Sequence, residues 1–269
     1  MRNVLDCAIE AARAGGRELV ARRADMGAVR SKGWSTDFVT EADLASGVAC
    51  ARAITALFPD ARFVIEEDEV YDMAPAARGS LDDDEVWVID PLDGTTSFLH
   101  GYPTYSVAVA CVRGGQPVAG AVYNAALDEL NAAAIGLGAT RDGASICVST
   151  APTVRDALLI TGFPYDRGAP LDRQLNVLAA FLRAPVHGIR RDGSAAIDCC
   201  HVAGSRADGF WESYLKPWDT AAGVVILREA GARVTDMEGA EWSVHSESIC
   251  CANPVLHAEM LALIRSVPE

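Results

Sequence analysis

The stretch over residues 87–98, W-V-I-D-P-L-D-G-T-T-S-F, constrains this chain more than any other part of its sequence. The apolar run at residues 86–89 predicts a buried strand that ends at the carboxylate of Asp90. A proline turn follows, and Asp93 then places a second carboxylate near the first. Residues 94–96, G-T-T, are typical of a helix start, where free backbone N–H groups and hydroxyls receive an anion.

Two carboxylates beside a set of N–H donors suit a hard cation next to a phosphate group. This combination predicts metal-assisted phosphoryl chemistry. A bare D-x-x-D-G string fits equally well an acidic turn that only caps a helix, because short motifs also match by chance. The full string with its flanking residues is much more specific.

Composition narrows the class of partner. The chain has 269 residues, half of them hydrophobic, and a formal net charge of −14. This length can bury a large core, and the acidic balance argues against nucleic acid or an anionic membrane surface as the main partner. Much of this charge can equally serve solubility. A phosphate ester would be repelled unless cations lie between it and the protein.

Cysteine usage and the N-terminus predict a cytoplasmic protein. The eight cysteines include no C-x-x-C pair, which argues against a zinc site and favours buried thiols in a reducing compartment. The N-terminus lacks the apolar core of a signal peptide because Asp6, Glu10 and Arg13 interrupt it. We find no apolar run of membrane-spanning length and therefore expect no membrane partner.

Periodicity predicts helices and strands in both halves of the chain. In the first half we expect helices at 5–19 and 40–58, and strands at 62–65, 86–89, 104–112, 117–123 and 129–134. We interpret residues 68–85 as a surface loop with a helical turn. In the second half we expect strands at 158–161, 188–190, 233–235 and 248–251, and helices at 171–182, 194–203, 218–230 and 254–264. This alternation predicts α/β layering in two domains, 1–145 and 146–269.

Two further acidic motifs complete a constellation. Glu66 and Glu67 follow a predicted strand, and Asp219 opens an apolar helix. Taken alone, a Glu pair is usually a solvated edge and an Asp at a helix start is usually a cap. Together with Asp90 and Asp93, these residues give four carboxylates at strand ends or helix starts, which is what a two-metal phosphoesterase requires.

These motifs resemble those of the inositol monophosphatase family. The similarity is carried by I-D-P-L-D-G-T-T at 89–96, F-L-H-G at 98–101, W-D-T-A-A-G at 218–223 and D-F-V-T-E-A-D at 37–43. The resemblance covers nearly the whole chain. It implies a layered αβαβα sandwich, two or three Mg²⁺ ions, inhibition by lithium, a small-molecule phosphate ester as substrate and a homodimer.

The resemblance also implies roles for individual residues. The first Mg²⁺ would be held by Glu66, Asp90 and the backbone carbonyl of Leu92, and the second by Asp90, Asp93 and Asp219. The catalytic residues would be Thr95, supported by Asp43, and Glu66, with Thr95 orienting the attacking water. Lys32 matches a family lysine near the metals.

The same resemblance implies a substrate pocket. Its residues would be Asp93, Gly94, Thr95, Gly193, Ser194, Ala195, Glu212 and Asp219, with the N–H groups of Gly94 and Thr95 on the phosphate. Four residues depart from the family pattern: Ile65, Asp68 and Ser97, expected near the metals, and Tyr214, expected near the alcohol.

We therefore expect a Mg²⁺-dependent phosphomonoesterase that acts on a small polyol phosphate, with myo-inositol monophosphate as the first choice. Related sugar, histidinol or nucleotide phosphates are the alternatives within this class. A regulatory binding protein that retains the fold is the alternative from another class.

Overall fold

The computed structural model describes residues 1–24, 29–31, 38–166 and 168–267. The helices are α1 (Arg2–Arg22), α2 (Glu41–Leu57), α3 (Val70–Met73), α4 (Thr95–His100), α5 (Ala169–Arg183), α6 (Ala195–Ala203), α7 (Pro217–Glu229) and α8 (Pro254–Arg265), with a 3₁₀ turn at Val154–Asp156. The strands are β1 (Val29–Ser31), β2 (Phe38–Thr40), β3 (Arg62–Ile65), β4 (Ala77–Arg78), β5 (Glu85–Asp93), β6 (Ser106–Arg113), β7 (Gln116–Asn124), β8 (Glu129–Ala134), β9 (Gly138–Arg141), β10 (Ala144–Ser145), β11 (Leu158–Thr161), β12 (Gly188–Arg190), β13 (Gly209–Ser213), β14 (Arg233–Thr235) and β15 (Ser248–Ala252).

The larger sheet has eight strands in the order β10-β9-β8-β7-β6-β5-β3-β4. Strands β5 to β10 pair antiparallel in sequence order, whereas β3 is parallel to both β4 and β5. In β5, Trp87 and Ile89 belong to one hydrophobic cluster and Val86 and Val88 to another. Burial on both faces explains why this strand is a continuous apolar run.

The smaller sheet has five strands in the order β12-β11-β13-β15-β14. Strand β11 is parallel to β12 and β13, and β15 is antiparallel to β13 and β14. A separate β1–β2 pair precedes α2.

Helices and sheets alternate in five layers. Helices α1 and α2 pack on one face of the larger sheet and α7 on its other face, where α7 also contacts α6. Helix α6 contacts β13 and β15 of the smaller sheet, and α5 and α8 cover the far side of that sheet. Three buried clusters fill the spaces between these layers. The αβαβα layering predicted from the resemblance is therefore confirmed.

The predicted local signals hold at several points. Thr40 and Asp43 form the expected capping box of α2, since Thr40 N donates to Asp43 Oδ2 at 2.9 Å and Ala42 N to Thr40 Oγ1 at 3.1 Å. The turn at Gly114 and Gly115 joins β6 to β7, and both glycines have positive φ.

Two expectations need correction, and a third stays untested. Strand β13 was not predicted, although it lies inside the smaller sheet and carries Glu212. The segment predicted as a surface loop with a helical turn contains that turn as α3, but it also contains the edge strand β4, which was not predicted. The division into domains 1–145 and 146–269 stays a prediction, although the larger sheet ends at Ser145 and the smaller begins at Leu158.

Among the described residues, no helix has the length and apolar character needed to cross a bilayer.

Candidate active site

A cavity of about 460 Å³ opens where the end of β5 meets the starts of α4, α6 and α7 and the end of β13. Most of the predicted site residues line it. They are Glu66, Asp90, Leu92, Asp93, Gly94, Thr95, Gly193, Ser194, Ala195, Glu212 and Asp219. The two sheets thus bring together residues as far apart in the sequence as Glu66 and Asp219.

The end of β5 is held rigidly in place. The pairing register between β5 and β6 shifts between Asp90 and Asp93, which marks an irregularity in the ladder at the acidic motif. Leu92 N donates to Asp90 Oδ1 at 3.0 Å, and Ser46 Oγ of α2 donates to the carbonyl of Pro91 at 2.7 Å. These bonds fix the direction of the Asp90 carboxylate and the backbone that leads to Asp93.

Asp93 connects β5 to the start of α6. Its Oδ2 accepts hydrogen bonds from Ser194 Oγ at 2.6 Å and from Ala196 N at 2.8 Å. Ser194 is also the N-cap of α6, since its Oγ accepts from Ile197 N at 3.3 Å. The Ser194 hydroxyl, predicted to contact substrate, thus orients Asp93.

Asp219 lies in the first turn of α7 at its third residue. Its Oδ2 accepts from Lys216 N at 2.6 Å, which satisfies one of the free N–H groups at the helix start. The expected capping function is therefore present. It uses one carboxylate oxygen, and the residue still lines the cavity.

Thr95 and Asp43 are in contact, as the resemblance implied. Thr95 Oγ1 lies 3.3 Å from Asp43 Oδ1 and 3.1 Å from the carbonyl of Leu92. Asp43 is fully buried, and its other oxygen accepts from Thr40 Oγ1 at 2.5 Å. The hydroxyl of Thr95 is therefore positioned at the start of α4 by two elements, α2 and β5.

Gly94 is the N-cap of α4, and its φ of 92° is a conformation that favours glycine. A Cβ at this position would lie 2.9 Å from the Thr104 carbonyl oxygen and 3.0 Å from that of Gly193. The close approach of these backbones therefore requires glycine at the predicted phosphate-binding turn.

The electrostatics of the cavity favour a cation. Burial raises the pKa of Asp90 and of Asp219 well above the ordinary value, and the neighbouring negative charges raise both further. Burial also raises the pKa of Asp93 to about 6, although its bonds to Ser194 and Ala196 act in the opposite direction. Several carboxyl groups thus share a buried wall where each disfavours the charge of the others.

The donor set fits a hard divalent cation. Carboxylate oxygens and the Leu92 carbonyl are the ligands that Mg²⁺ prefers, and no thiol or imidazole from the described residues lines the cavity. Within the described residues, no three acidic, His or Cys side chains are close enough to define a metal centre by geometry alone. The predicted ligands therefore line one cavity without forming a complete coordination sphere.

Glu212 projects from the end of β13 and packs against the chain that leaves β11. A Cβ on Gly162 would lie 2.0 Å from Glu212 Oε1, so a glycine there makes room for this carboxyl group. Burial raises the pKa of Glu212 to about 8, against the opposing effect of Arg191. The predicted alcohol-binding residue is thus a half-buried acid on the cavity wall.

Some residues that depart from the family pattern lie elsewhere than expected. Asp68 is exposed and pairs with Arg78 at 2.6 Å, so it does not line the cavity, contrary to the prediction that it lies near the metals. Ile65 is buried in the core below α1 and α2. Tyr214 does line the cavity, as predicted. Lys32 lies outside the described residues.

Sequence reasoning missed part of the wall, namely Gly162, Phe163, Pro164, Tyr165, Arg191 and Asp198. A signal was available for the first three, because G-F-P follows directly after the predicted strand at 158–161, and strand ends are where α/β proteins bind ligands. Asp198 gave no such signal, since it lies inside an apolar helix.

Comparison with known proteins agrees with this fold. A model of the inositol monophosphatase family matches residues 1–269. An inositol-1-monophosphatase of Synechocystis sp. is 37% identical over 265 residues, which is 98% of this chain and 90% of that protein. A protein of Neisseria meningitidis serogroup B named putative Nus factor SuhB is 37% identical over 266 residues, which is 98% of each chain. The crystal structure of extragenic suppressor protein suhB from Bartonella henselae superposes with a TM-score of 0.88, with 34% identity and 98% of both chains covered.

The alternating layers and the carboxylate-lined cavity define the class, a layered α/β fold with an acidic ligand site between its sheets. Together with the whole-chain match, they show that this chain belongs to the inositol monophosphatase family.

Proposed function

We propose that this protein is a Mg²⁺-dependent phosphomonoesterase that hydrolyses a small polyol phosphate, with myo-inositol monophosphate as the first choice. The proposal is supported mainly by one observation. Glu66, Asp90, Asp93 and Asp219 line the same cavity as Thr95 at the start of α4. The family generally uses Mg²⁺, which agrees with this oxygen-only donor set.

The cation would be held by Glu66, Asp90, Asp93, Asp219 and the Leu92 carbonyl. When bound, Mg²⁺ supplies Lewis-acid chemistry, which activates water and stabilises the leaving oxygen. Thr95 then holds the attacking water, because Asp43 and the Leu92 carbonyl fix its hydroxyl. The N–H groups of Gly94 and Thr95 hold the phosphate, and Glu212 accepts hydrogen bonds from the alcohol.

The metal requirement is the first test. Hydrolysis of myo-inositol 1-phosphate should be abolished by exhaustive chelation, restored by Mg²⁺ and inhibited by lithium. A parallel titration of thermal stability with Mg²⁺ should show stabilisation, because a bound cation relieves the repulsion among the buried carboxylates. Full activity after chelation would contradict the proposal.

Asp93→Asn tests the assignment of one ligand. The substitution keeps the shape and removes the charge, so we expect kcat to fall by roughly 100- to 10,000-fold, or about 3–5 kcal/mol of transition-state stabilisation. Circular dichroism should show an intact fold, because one charge fewer is buried. Arg78→Lys is a suitable control, since its partner Asp68 does not line the cavity.

Glu212→Gln tests recognition of the alcohol. We expect kcat/KM for the polyol phosphate to fall by roughly 5- to 150-fold, or about 1–3 kcal/mol of transition-state stabilisation, because an amide replaces the carboxyl group that hydrogen-bonds the alcohol. Hydrolysis of p-nitrophenyl phosphate, which lacks hydroxyl groups, should change little. Equal losses on both substrates would assign Glu212 to the metal or the phosphate instead.

A regulatory function is the second candidate, because several relatives are named Nus factor SuhB. The two functions make different predictions for the Asp93→Asn variant in a cell that lacks the native protein. If hydrolysis is the function, the variant fails to restore the wild-type phenotype. Restoration by the inactive variant would favour the regulatory function.

A further inference from the structure

Asp198 is a buried carboxyl group that the proposed chemistry does not use. It is the fourth residue of α6, it is 1% exposed, and it lines the cavity. Among the residues that the structure describes, no hydrogen-bond partner reaches its Oδ1. Buried polar atoms almost always have a partner, so an unpaired carboxyl oxygen on a cavity wall indicates a donor that enters with a ligand.

The charges around Asp198 limit what that donor can be. Glu212, Asp192 and Asp93 present negative charge to it, and Arg191 presents positive charge. The negative charges of these three carboxyl groups disfavour an anionic group of the ligand next to Asp198. The guanidinium of Arg191 lines the same cavity and offsets part of this negative charge, which reduces the attraction for a cation beyond the proposed metal. A neutral hydroxyl, which donates a hydrogen bond without adding charge, fits these surroundings best.

Asp198 lies near Glu212, which indicates the part of the substrate that carries the hydrogen-bond donor. Both residues line the cavity, and Glu212 is the neighbour whose charge acts on Asp198 most strongly. Ser194, the N-cap of α6, and Ala196 in its first turn hold Asp93 on the side of the predicted metals. Asp198 is therefore placed, with Glu212, on the alcohol side of the site.

We propose that Asp198 is a specificity-determining residue that accepts a hydrogen bond from a second hydroxyl of the substrate's alcohol, beside the hydroxyl bound by Glu212. The inference rests on the proposed function and deepens it. The favoured substrate class is a phosphate ester with at least two free hydroxyl groups, rather than a simple alkyl or aryl phosphate.

The test uses Asp198→Leu, which removes the acceptor at similar size, and Asp198→Asn, which keeps one amide oxygen as an acceptor. We expect KM for myo-inositol 1-phosphate to rise about tenfold in the Leu variant and by less in the Asn variant, with smaller changes in kcat. Kinetics on p-nitrophenyl phosphate should stay unchanged in both. The urea midpoint of the metal-free variants should be equal to or above that of the wild type, because an unpaired buried carboxyl group costs stability.

The control is Asp192→Asn, which removes a charge facing Asp198 without changing a residue that lines the cavity. It should leave KM for the inositol ester unchanged. Equal losses on the two esters, or a lowered urea midpoint with unchanged KM, would show a structural role and overturn the inference. A greater loss on phosphoethanolamine than on the inositol ester would also overturn it, in favour of an ammonium group. A wild-type enzyme that hydrolyses none of these esters would refute the proposed function, and with it this inference.

Discussion

Tyr214 has a backbone conformation that its residue type rarely adopts. Its φ is 64°, in the left-handed region that favours glycine, and it lies two residues after Glu212 at the end of β13. The side chain is 55% exposed and lines the cavity. The glycine expected at this position from the family resemblance would adopt this conformation without strain. This chain accepts local strain and gains an aromatic ring at the mouth of its site.

Tyr214→Gly should therefore stabilise the metal-free protein by about 1 kcal/mol, because the left-handed conformation no longer carries a steric penalty. Tyr214→Ala is the matched control, since it removes the ring and keeps the penalty. Urea denaturation of both variants separates the effect of removing the ring from the effect of relieving the backbone strain. If alanine and glycine give the same midpoint, the strain interpretation is wrong.

At the scale of elements, the position of α7 depends on its contact with the larger sheet. A Cβ on Gly120 of β7 would lie 2.9 Å from the Cα and 3.0 Å from the carbonyl oxygen of Ala222. Both are backbone atoms of α7 and cannot rotate away. Because α7 carries Asp219 in its first turn, the packing of this helix also sets the position of one predicted metal ligand.

Gly120→Ala should consequently force α7 away from the sheet and lower the free energy of unfolding by about 1–3 kcal/mol, the usual cost of overpacking. Urea denaturation measures this loss. The apparent affinity for Mg²⁺, followed by thermal shift, should also weaken. The control is Gly188→Ala in β12, where a Cβ would be 3.3 Å from the mobile Arg190 guanidinium. A variant with wild-type stability would show that α7 adjusts freely.

At the scale of the whole molecule, the buried acids of the cavity act against stability. Glu212 has a folded-state pKa of about 8, raised by burial from an ordinary 4.5. Between these values the folded protein binds more protons than the unfolded chain. Its free energy of unfolding must then fall as pH rises. The contribution of Glu212 is fully present below pH 4.5 and is lost as pH rises through 8.

We therefore expect metal-free protein to lose stability between about pH 5 and pH 8.5, and Glu212→Gln to lose less over the same interval. Urea midpoints in the presence of EDTA at these two pH values measure both slopes. Asp93, whose pKa is also raised, contributes a slope of the same sign in both proteins. If the slopes of wild type and variant were identical, Glu212 would have an ordinary pKa in the folded protein.

Local sequence determined much of this molecule. The apolar run before Asp90 fixed a strand buried on two faces, and Thr40 with Asp43 fixed the start of α2. These signals could be recognised in the sequence because each depends on residues only a few positions apart. The motif around Asp93 and that around Asp219 also indicated the family, because several specific strings occurred together.

Tertiary structure alone decided how those pieces meet. Strand β13 is only five residues long and is stabilised by pairing with β11 and β15, so its position and that of Glu212 depend on distant strands. Asp198 looks like an ordinary polar residue in an apolar helix until the fold places it on the cavity wall. Burial and electrostatic environment are set by the packing of segments far apart in sequence, which no local pattern encodes.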